Sequence, residues 1–600
     1  MNVVEVTKFG GPEVLVAGRA PDPVAGPGQV VIGVSVIDVM SIDAQLRAGW
    51  GRGWFPGEPP FVPGTGVAGR VLSVGDGVDA GWVGRRVAAL VSGGGYAERV
   101  AADLETVVEV PDGVPSWRAA ALVQVGPAAL SLVGAASLGP GTRVLVTGAG
   151  GALGLAIVGL AKAAGAHVTA AAHGPAKREA ALGLGAAAAI DYAELQGQEF
   201  DVVFDGVGGE VGGAAFELVR PGGTFFAYGV PSGSTAQIGD GRPDVRVVGM
   251  EQVQFAPDRF KSLAEQTLRE GALTTVVGLA VPLERAQEAH AALEARELVG
   301  KALLLVTAQA VRYRAHGGPE VLTLDEIPLP QPGPGQVRVA VRAAGVNGID
   351  WKIRQGFMGA AIDGPQGTGI EVAGTIDALG QGVEGWRLGQ PVFGQVASGA
   401  AATHAIADAS ALTAKPDDLS YEEAAALPVA VETARRTLLE LGLEQGQTLL
   451  IHAVAGGVGL AAAQLALARG AKVIGTASER HHAYLRGLGI HPVTYGEGLA
   501  ERLPKPIDLV LDASGRGELE LSVELTGDPD KVITIASRDA GEFGVRFSSG
   551  GTKGAVPIEN VRLPIAEVFP LERTADAQRR SADGHFLGKI VINTEGSLPR

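Results

Sequence analysis

The amino-acid sequence predicts an α/β fold that occurs twice in tandem, and three observations lead to this prediction. The first is a long internal repeat: "GGPEVL" at residues 10–15 returns at residues 317–322, an offset of 307 residues. The second is the alternation of apolar strands with helical stretches in each half, which is typical of a parallel sheet covered on both faces. The third is a glycine-rich turn between a strand and a helix, present once in each half.

Length and composition indicate a globular protein with several domains. The chain has 600 residues, of which 46% are hydrophobic, enough for several buried cores. The net charge is −16 and the Lys and Arg residues are scattered, so we expect no nucleic-acid partner. Cysteine is absent, which excludes disulfides and cysteine-ligated zinc. Residues 1–15 lack a signal core and apolar runs end before membrane-helix length, so we expect a cytoplasmic location and no membrane partner.

The repeat runs along the whole chain, but its spacing changes near the end. "GPGQV" at residues 26 and 333 keeps the offset of 307, whereas the final strands "VGKALLL" and "LGKIVI" at residues 299 and 587 lie 288 apart. The second copy is therefore about one helix shorter, and this loss predicts exposed apolar surface that the other half would cover. The join near residue 306 has no flexible spacer, so we expect the halves to form an intrachain pseudo-dimer.

Each half changes character along its length, and this predicts its domains. Short alternating strands come first, and Ala-rich helical sequence begins near Ser116 and Ser420. A last strand-and-helix piece is expected to return to the opening domain. The predicted β-rich domain, cofactor domain and return segment span residues 1–116, 117–272 and 273–306 in the first half and 307–420, 421–562 (shortened) and 563–600 in the second.

The glycine turns are the feature from which a function is first inferred. Without a Cβ, the backbone lets a diphosphate approach, and the helix that follows offers unpaired N–H groups and a positive dipole. Each turn follows a strand and precedes a helix, so we interpret both as dinucleotide-binding turns; plain packing is the alternative for either turn alone. The glycines are Gly148, Gly151 and Gly154 in the first half and Gly456, Gly457 and Gly459 in the second.

The end of the next strand favours NADPH over NADH. An acid at this point would bind the ribose 2′-hydroxyl, whereas small and basic residues leave room for a 2′-phosphate. Neither strand end, residues 170–173 or 475–478, carries an acid, although Glu479 follows the second. The basic residues that follow have an alternative interpretation, because exposed bases at a helix start are often merely solvated. The predicted binding residues are Lys177, Arg178 and Tyr192 in the first half and Ser478, Arg480 and Tyr495 in the second.

Further motifs give the chain a resemblance to a known family. They are "GVNGIDWKIRQG" (345–356), "GIEVAGTIDALG" (369–380), "EEAAALPVAVETA" (422–434), "GGYAERV" (94–100) and "FDGVGG" (204–209). With the glycine turns, they make both halves resemble the quinone oxidoreductase (zeta-crystallin-like) branch of the zinc-free medium-chain dehydrogenase/reductases. The resemblance implies, in each half, a GroES-like β-rich domain plus a Rossmann doubly wound parallel sheet, with NADPH in the cleft between them.

The resemblance also implies an activity and candidate catalytic residues. The activity is hydride transfer to a small-molecule quinone or α,β-unsaturated carbonyl, with no metal and a possible further homodimer. Asn347 would either donate to a carbonyl of the substrate or cofactor or cap its own turn. Lys352 occupies the position where some members have a substrate-contacting Tyr, and its alternative interpretation is a solvated surface lysine. Thr433 matches the Thr that lies beside the cofactor. The first half has Met40, Gln45 and Ala128 at these positions.

Three functions remain open at this stage. The first is an NADPH-dependent reductase, possible in a biosynthetic pathway, with one or both halves active and two NADPH bound per chain. The second is a non-redox cyclisation or rearrangement in a retooled cleft, and the third is a half that serves only as a scaffold. Trp50, Trp54 and Phe55 are either an aromatic substrate wall in the first half or loop anchors.

Overall fold

The chain divides into two units that follow the two halves of the repeat, Met1–Thr307 (unit 1) and Ala308–Ser597 (unit 2). The structure is a computed structural model. It describes residues 1–51, 58–229, 234–239, 241–269, 273, 275–357, 359, 361–551, 555 and 560–594.

Unit 1 contains fifteen strands and eight α-helices among its described residues. The strands are β1 (Asn2–Val6), β2 (Leu15–Arg19), β3 (Gln29–Val39), β4 (Gly66–Val74), β5 (Arg86–Leu90), β6 (Arg99–Asp103), β7 (Val107–Glu109), β8 (Arg143–Thr147), β9 (His167–Ala171), β10 (Ala188–Ile190), β11 (Phe200–Asp205), β12 (Val219–Ala227), β13 (Arg246–Val248), β14 (Val277–Pro282) and β15 (Lys301–Leu305). The helices are α1 (Ser41–Arg47), α2 (Ser116–Leu122), α3 (Val125–Ala135), α4 (Ala152–Ala163), α5 (Pro175–Gly183), α6 (Gly209–Glu217), α7 (Pro257–Arg269) and α8 (Ala286–Glu294).

Two large sheets organise unit 1. One is parallel, with strand order β10-β9-β8-β11-β12-β13. Its inner strand β8, "RVLVT", is buried from its second residue onward, as expected for a strand covered on both faces. The other sheet is β-rich, with order β14-β15-β3-β4-β5-β7 and β6 paired to β3. The last two strands of the unit, β14 and β15, thus return to the sheet that β3 begins.

Unit 2 repeats this arrangement. Its strands are β16 (Thr307–Tyr313), β17 (Thr323–Pro328), β18 (Gln336–Val346), β19 (Gln366–Gly367), β20 (Glu371–Leu379), β21 (Pro391–Gln395), β22 (His404–Asp408), β23 (Leu412–Ala414), β24 (Thr448–His452), β25 (Lys472–Thr476), β26 (His491–Val493), β27 (Leu509–Asp512), β28 (Val532–Thr534), β29 (Arg546–Phe547), β30 (Ile565–Pro570) and β31 (Lys589–Asn593). Its helices are α9 (Gly348–Arg354), α10 (Tyr421–Ala425), α11 (Pro428–Glu440), α12 (Gly457–Ala468), α13 (His482–Gly487), α14 (Leu499–Arg502), α15 (Leu519–Thr526) and α16 (Thr574–Asp583).

The sheets of unit 2 have the same orders as those of unit 1. The parallel sheet runs β26-β25-β24-β27-β28-β29, and the β-rich sheet runs β23-β21-β20-β18-β31-β30 with β22 paired to β18. The predicted α/β fold, with two tandem units that each combine a β-rich and a doubly wound parallel sheet, is confirmed. Among the described residues no single helix is long and apolar enough to span a membrane. Helices α2 and α3 reach the length and composition of a membrane span only when taken together, and they are bent relative to each other.

Helix α7 is the main difference between the units. In unit 1 it lies directly against α3: a Cβ added to Gly126 would be 2.1 Å from the Thr267 side chain, and Arg259 donates to the Ser131 hydroxyl at 2.9 Å. In the described part of unit 2, no helix lies between β29 and β30. The shorter second copy therefore lacks the element that packs on α3 in the first.

Unit 2 closes the corresponding face of α11 with its own residues. Val431 is fully buried in the same hydrophobic core as Val561, which lies in the segment just before β30. Beside it, Arg436 pairs with Glu432 at 3.2 Å. Leu439 is the one large apolar side chain of α11 that stays exposed. A buried valine and an ion pair thus stand on the face of α11 that corresponds to the side of α3 on which α7 packs. Coverage of this region by the other half stays a prediction.

Candidate active site

Both glycine turns lie at the carboxyl ends of inner strands of the parallel sheets, β8 and β24. Gly148 has a φ of 66° and its counterpart Ala453 a φ of 59°, so both chains turn through the left-handed region at the same point. Helices α4 and α12 follow, with Gly151 and Gly456 as N-cap residues and no side-chain cap. No side chain therefore competes with an anion for the N–H groups in the first turn of each helix.

The predicted glycines of these turns have two different roles. A Cβ on Gly154 or Gly459 would lie 2.4 or 2.6 Å from the carbonyl oxygen of the first residue of its turn, so these two let the helix pack on the turn. A Cβ on Gly151 or Gly456 would meet nothing closer than 3.4 Å, which is ordinary contact with a carbonyl of its own turn. The outer side of these two residues is open, as a diphosphate cradle requires.

The return segment of each unit is hydrogen-bonded to the glycine turn. The Gly300 N–H donates to the Gly150 carbonyl at 2.9 Å, and the Gly588 N–H donates to the Ala455 carbonyl at 2.8 Å. Within each unit, the β-rich domain therefore meets the parallel-sheet domain at the turn itself.

Beside this contact, each unit buries one lysine against one carboxylate. Lys301 lies 2.5 Å from Asp38 in unit 1, and Lys589 lies 2.5 Å from Glu371 in unit 2. Both carboxylates are fully buried. Asp38 is on β3, whereas Glu371 is on β20, the neighbour of the strand that corresponds to β3. Glycine stands across the strand pair from each acid, Gly66 in unit 1 and Gly345 in unit 2. The charge pair is thus kept while its acid has changed strand.

Asn347 is part of this network in unit 2. Its Oδ1 accepts from Lys589 Nζ at 2.6 Å, and its Nδ2 donates to Glu371 Oε1 at 2.7 Å. The carboxamide is therefore held in one orientation, with one N–H of Nδ2 left for a ligand. In unit 1, the Met40 sulfur takes this place, 2.9 Å from Lys301 Nζ. Unit 1 has no polar group at the equivalent position.

Lys352 lies further along α9 and is half-buried. Burial lowers the pKa of Lys352, the positive charge of Arg538 lowers it further, and Asp512 acts in the opposite direction. Asp512 ends β27 and Arg538 follows β28, whereas α9 belongs to the β-rich domain. Lys352 therefore faces the parallel-sheet domain of its unit. Its Nζ lies 5.6 Å from the ring centroid of Trp351.

Three of the predicted nucleotide-binding residues of unit 2 meet at one cavity of about 270 Å³, lined by Gly456, Ser478 and Tyr495. The Ser478 and Tyr495 hydroxyls are 3.0 Å apart, and Tyr495 Oη lies 3.3 Å from Nδ1 of His585. Arg480 donates to the His585 carbonyl. His585 was missed by sequence reasoning, since its only signal is its position just before the lysine of β31. A larger cavity of about 620 Å³ between α14 and α15 contains none of the predicted residues.

In unit 1 the two predicted basic residues are held by the protein itself. The Lys177 stem covers the turn, where a Cβ on Gly150 would lie 2.5 Å from it, and Nζ donates to the Arg296 carbonyl at 2.5 Å. Arg178 donates to Asp191 at 2.8 Å. Sequence reasoning missed Asp191 because this acid follows β10 rather than β9, the strand at which an acid was sought.

Tyr192 and Thr433 complete the predicted set. Tyr192 is half-buried near the unit 1 turn; burial raises its pKa, and a hydrogen bond from the Gly148 backbone opposes that rise. Thr433 is 9% exposed on α11. The start of α11 is tied to the charge pair, because the Val429 N–H donates to Glu371 at 2.8 Å.

No metal site or aromatic wall emerges from the described residues. No group of three or more His, Cys, Asp or Glu placed to hold a metal ion occurs among them. Trp50 is 51% exposed, and Trp54 and Phe55, predicted as a possible substrate wall, lie outside the described residues.

Comparison with known proteins supplies a family. The family described as alcohol dehydrogenase GroES-like domain matches twice, at residues 26–112 and 333–417, and the family described as zinc-binding dehydrogenase matches residues 152–286. The double match agrees with the tandem repeat.

Individual relatives match one half of the chain in length. Quinone oxidoreductase from Homo sapiens is 30% identical over 319 residues, 47% of this chain and 97% of that protein. Erythronolide synthase EryA2 from Saccharopolyspora erythraea is 37% identical over 289 residues, 43% of this chain and 8% of that protein. The solved structure of mycobacterial Rv1454c complexed with NADPH is 29% identical and covers 51% of this chain and all of that one, with a TM-score of 0.47. Since the human protein is matched over almost its entire length, the chain belongs to the quinone oxidoreductase branch of the medium-chain dehydrogenase/reductases and carries the two-domain unit of that family twice.

Proposed function

We propose that the chain is an NADPH-dependent reductase that transfers hydride, without zinc, to a quinone or an α,β-unsaturated carbonyl compound, with unit 2 as the reaction site. The observation that supports this most directly is the arrangement around the unit 2 turn. An open glycine cradle lies beside a cavity lined by Ser478 and Tyr495, and the fixed carboxamide of Asn347 is tied to the same contact through Lys589.

The unit 2 cleft fits a phosphorylated dinucleotide. The diphosphate would bind the N–H groups after Gly456, where an added Cβ meets only the turn's own carbonyl at 3.4 Å. Ser478, Tyr495 and Arg480 would hold the 2′-phosphate, because their hydroxyl and guanidinium groups converge near one wall of the cavity. When bound, NADPH supplies the hydride.

The residues of this chain would supply orientation and a proton. The remaining N–H of Asn347 would donate to a carbonyl of the acceptor or the cofactor, and the network with Lys589 and Glu371 holds that N–H in place. After hydride reaches the conjugated carbon, the acceptor carries a negative charge and needs one proton. Lys352 would give it from Nζ, since its lowered pKa makes the ammonium a better acid, and solvent would reprotonate the amine.

A scaffold role is the second candidate for unit 1. The Met40 sulfur stands at Lys301 where unit 2 has the Asn347 carboxamide, so unit 1 retains the turn without the polar group that would face an acceptor. Unit 1 would then bind the nucleotide and reduce little or nothing.

Loss of NADPH absorbance with simple quinones and enones tests the reductase directly. We expect turnover by the intact chain and a fall in kcat of about 100-fold in Asn347→Ala, the effect of removing one preorganised donor. Met40→Ala, at the corresponding position of unit 1, is the matched control and should retain full activity. Lys352→Gln should shift the pH profile as well as lower kcat.

Two results would overturn the proposal. In the first, the chain binds NADPH, and none of the quinones or enones causes it to oxidise the cofactor. It instead cyclises or rearranges a compound without changing the oxidation state of that compound. The other is turnover that survives Asn347→Ala and disappears in Met40→Ala, which would move the reaction to unit 1.

A further inference from the structure

The segment after β28 brings an arginine to the cleft between the two domains of unit 2. The Arg538 guanidinium lies 4.0 Å from the ring centroid of Phe357, at the end of the α9 region. Arg538 belongs to the parallel-sheet domain and Phe357 to the β-rich domain, so this contact spans the cleft within the unit. In the first copy, residues 228–233, "YGVPSG", follow the corresponding strand β12 and contain no charged residue.

Lys352 adds a second positive charge at the same place. Arg538 and Lys352 are close enough for the arginine to lower the pKa of the lysine. The charge of Asp512 partly offsets that of Lys352, and the Asp512 oxygens accept from Ser514 at 2.9 Å and Thr534 at 2.7 Å. Within the described part of the chain, neither Lys352 nor Arg538 has a carboxylate within 4.0 Å. Two like charges facing one cleft repel each other, and an anion between them would remove that cost.

This pair is separate from the diphosphate position. The turn that would bind the diphosphate follows β24, and Arg538 follows β28; β27 lies between these strands. Two strand spacings amount to about 10 Å across a sheet. The ligand of this cation pair is therefore a group other than the diphosphate.

The side chains around the two cations indicate what accompanies the anion. Phe357 is 47% exposed beside Arg538, and Trp351 lies beside Lys352. The exposed ring of Phe357 and the half-buried ring of Trp351, each next to a cation, suit a flat conjugated group that carries a negative charge. Unit 1 has the neutral Gln45 where unit 2 has Lys352.

We propose that the acceptor of unit 2 is a conjugated carbonyl compound with an anionic group, and that Arg538, assisted by the charge of Lys352, binds this group. This inference rests on the proposed reductase activity and names the substrate class of that same site. Arg538 acts here as a specificity residue.

A matched pair of acceptors tests the inference. 3-Benzoylacrylate carries a carboxylate on an aromatic enone, and its methyl ester has the same skeleton without charge. We expect the intact chain to reduce the acid with a kcat/KM at least about tenfold above that of the ester, a gap that narrows at high salt. Arg538→Gln should lower kcat/KM for the acid by about 10- to 100-fold, through a higher KM. The kcat/KM for the ester should change by no more than about twofold.

Two variants serve as controls. Arg538→Lys keeps the charge and should restore part of the preference for the acid. Arg469→Gln removes an exposed arginine at the C-terminal end of α12, the end opposite the turn. It should leave kcat/KM for both acceptors unchanged.

Calorimetry with 3-benzoylpropionate, which lacks the reducible double bond, separates the two proposals. If neither acceptor oxidises NADPH but this compound binds the intact chain and fails to bind Arg538→Gln, the reductase is refuted and the anion site is supported. If both acceptors are reduced equally well and Arg538→Gln affects them alike, the reductase is supported and the anion site is overturned.

Discussion

Leucine substitutions at the open glycines provide the sharpest test of cofactor binding. Gly151 has φ −84° and ψ 166°, and Gly456 has φ −77° and ψ 165°, an extended backbone that any residue adopts. An added Cβ meets nothing closer than 3.4 Å at either position. Gly151→Leu and Gly456→Leu should therefore lower the free energy of unfolding by only about 1 kcal/mol, the cost of a poorer N-cap residue.

The same side chains would occupy the space that a diphosphate needs. A phosphate oxygen must come to about 2.9 Å from the backbone nitrogens at the helix start, and a leucine there prevents this approach. Losing two charge-assisted hydrogen bonds at about 1.5–3 kcal/mol each weakens binding by about 3–6 kcal/mol, more than about 100-fold. Gly154→Ala and Gly459→Ala are the contrast, because their Cβ atoms would lie 2.4 and 2.6 Å from a carbonyl oxygen. These should destabilise their units by about 1–3 kcal/mol.

Calorimetric titration with NADPH, paired with urea denaturation, measures both quantities. We expect two sites in the intact chain, one in each leucine variant and none in the double variant, with each variant within about 2 kcal/mol of the parent in free energy of unfolding. Leucine variants that still bind two equivalents would refute the assignment of the turns. Saturation of the intact chain at one equivalent, lost only in Gly456→Leu, would instead confine the cofactor to unit 2.

Three further predictions concern stability. Ala453 has a φ of 59°, where a Cβ costs about 1–2 kcal/mol, so Ala453→Gly should raise the free energy of unfolding in urea and Gly148→Ala should lower it; shifts of equal sign would contradict this strain. Burial raises the pKa of Asp350 to about 7. The carboxyl of Asp350 loses its proton near pH 4 in the unfolded chain and only near pH 7 in the folded one, so the free energy of unfolding should fall as pH rises from 4 to 7. Asp350→Asn should flatten this part of a plot of the free energy of unfolding against pH. Lys589→Met leaves Glu371 buried without its partner, at a cost of about 3–5 kcal/mol, and adding Glu371→Gln should recover much of this loss in a double-mutant cycle; additive losses would show that the pair is not coupled.

The features that could be predicted from sequence depend on local pattern. Strands such as β8 and β24 are short apolar runs because both of their faces are buried, and the turns after them carry glycine where the backbone needs it. At the site, Ser478 and Tyr495 lie near each other because they follow adjacent parallel strands, β25 and β26. Their predicted role in binding the cofactor stays a prediction.

The features that were missed depend on contacts that are distant in sequence. Lys589 lies 242 residues from Asn347, and His585 lies 90 residues from Tyr495. Both partners arrive on the return segment, whose position is set by the pairing of β31 with β18. No periodicity near Asn347 indicates which side chain that register delivers.

The two units agree where a nucleotide would bind and differ where an acceptor would. Each has the left-handed start of the turn, the hydrogen bond from the return segment and the buried lysine with its acid, although that acid stands on different strands as Asp38 and Glu371. Exchange of the acid between paired strands keeps one negative charge beside the lysine, which a buried ammonium requires. The positions that would face the acceptor, in contrast, have Asn347 and Lys352 in one unit and nonionic side chains in the other. A duplicated unit that must still fit one cofactor is constrained at the turn, whereas its acceptor pocket is free to change; the chemistry specific to this chain therefore depends on the residues that the two halves do not share.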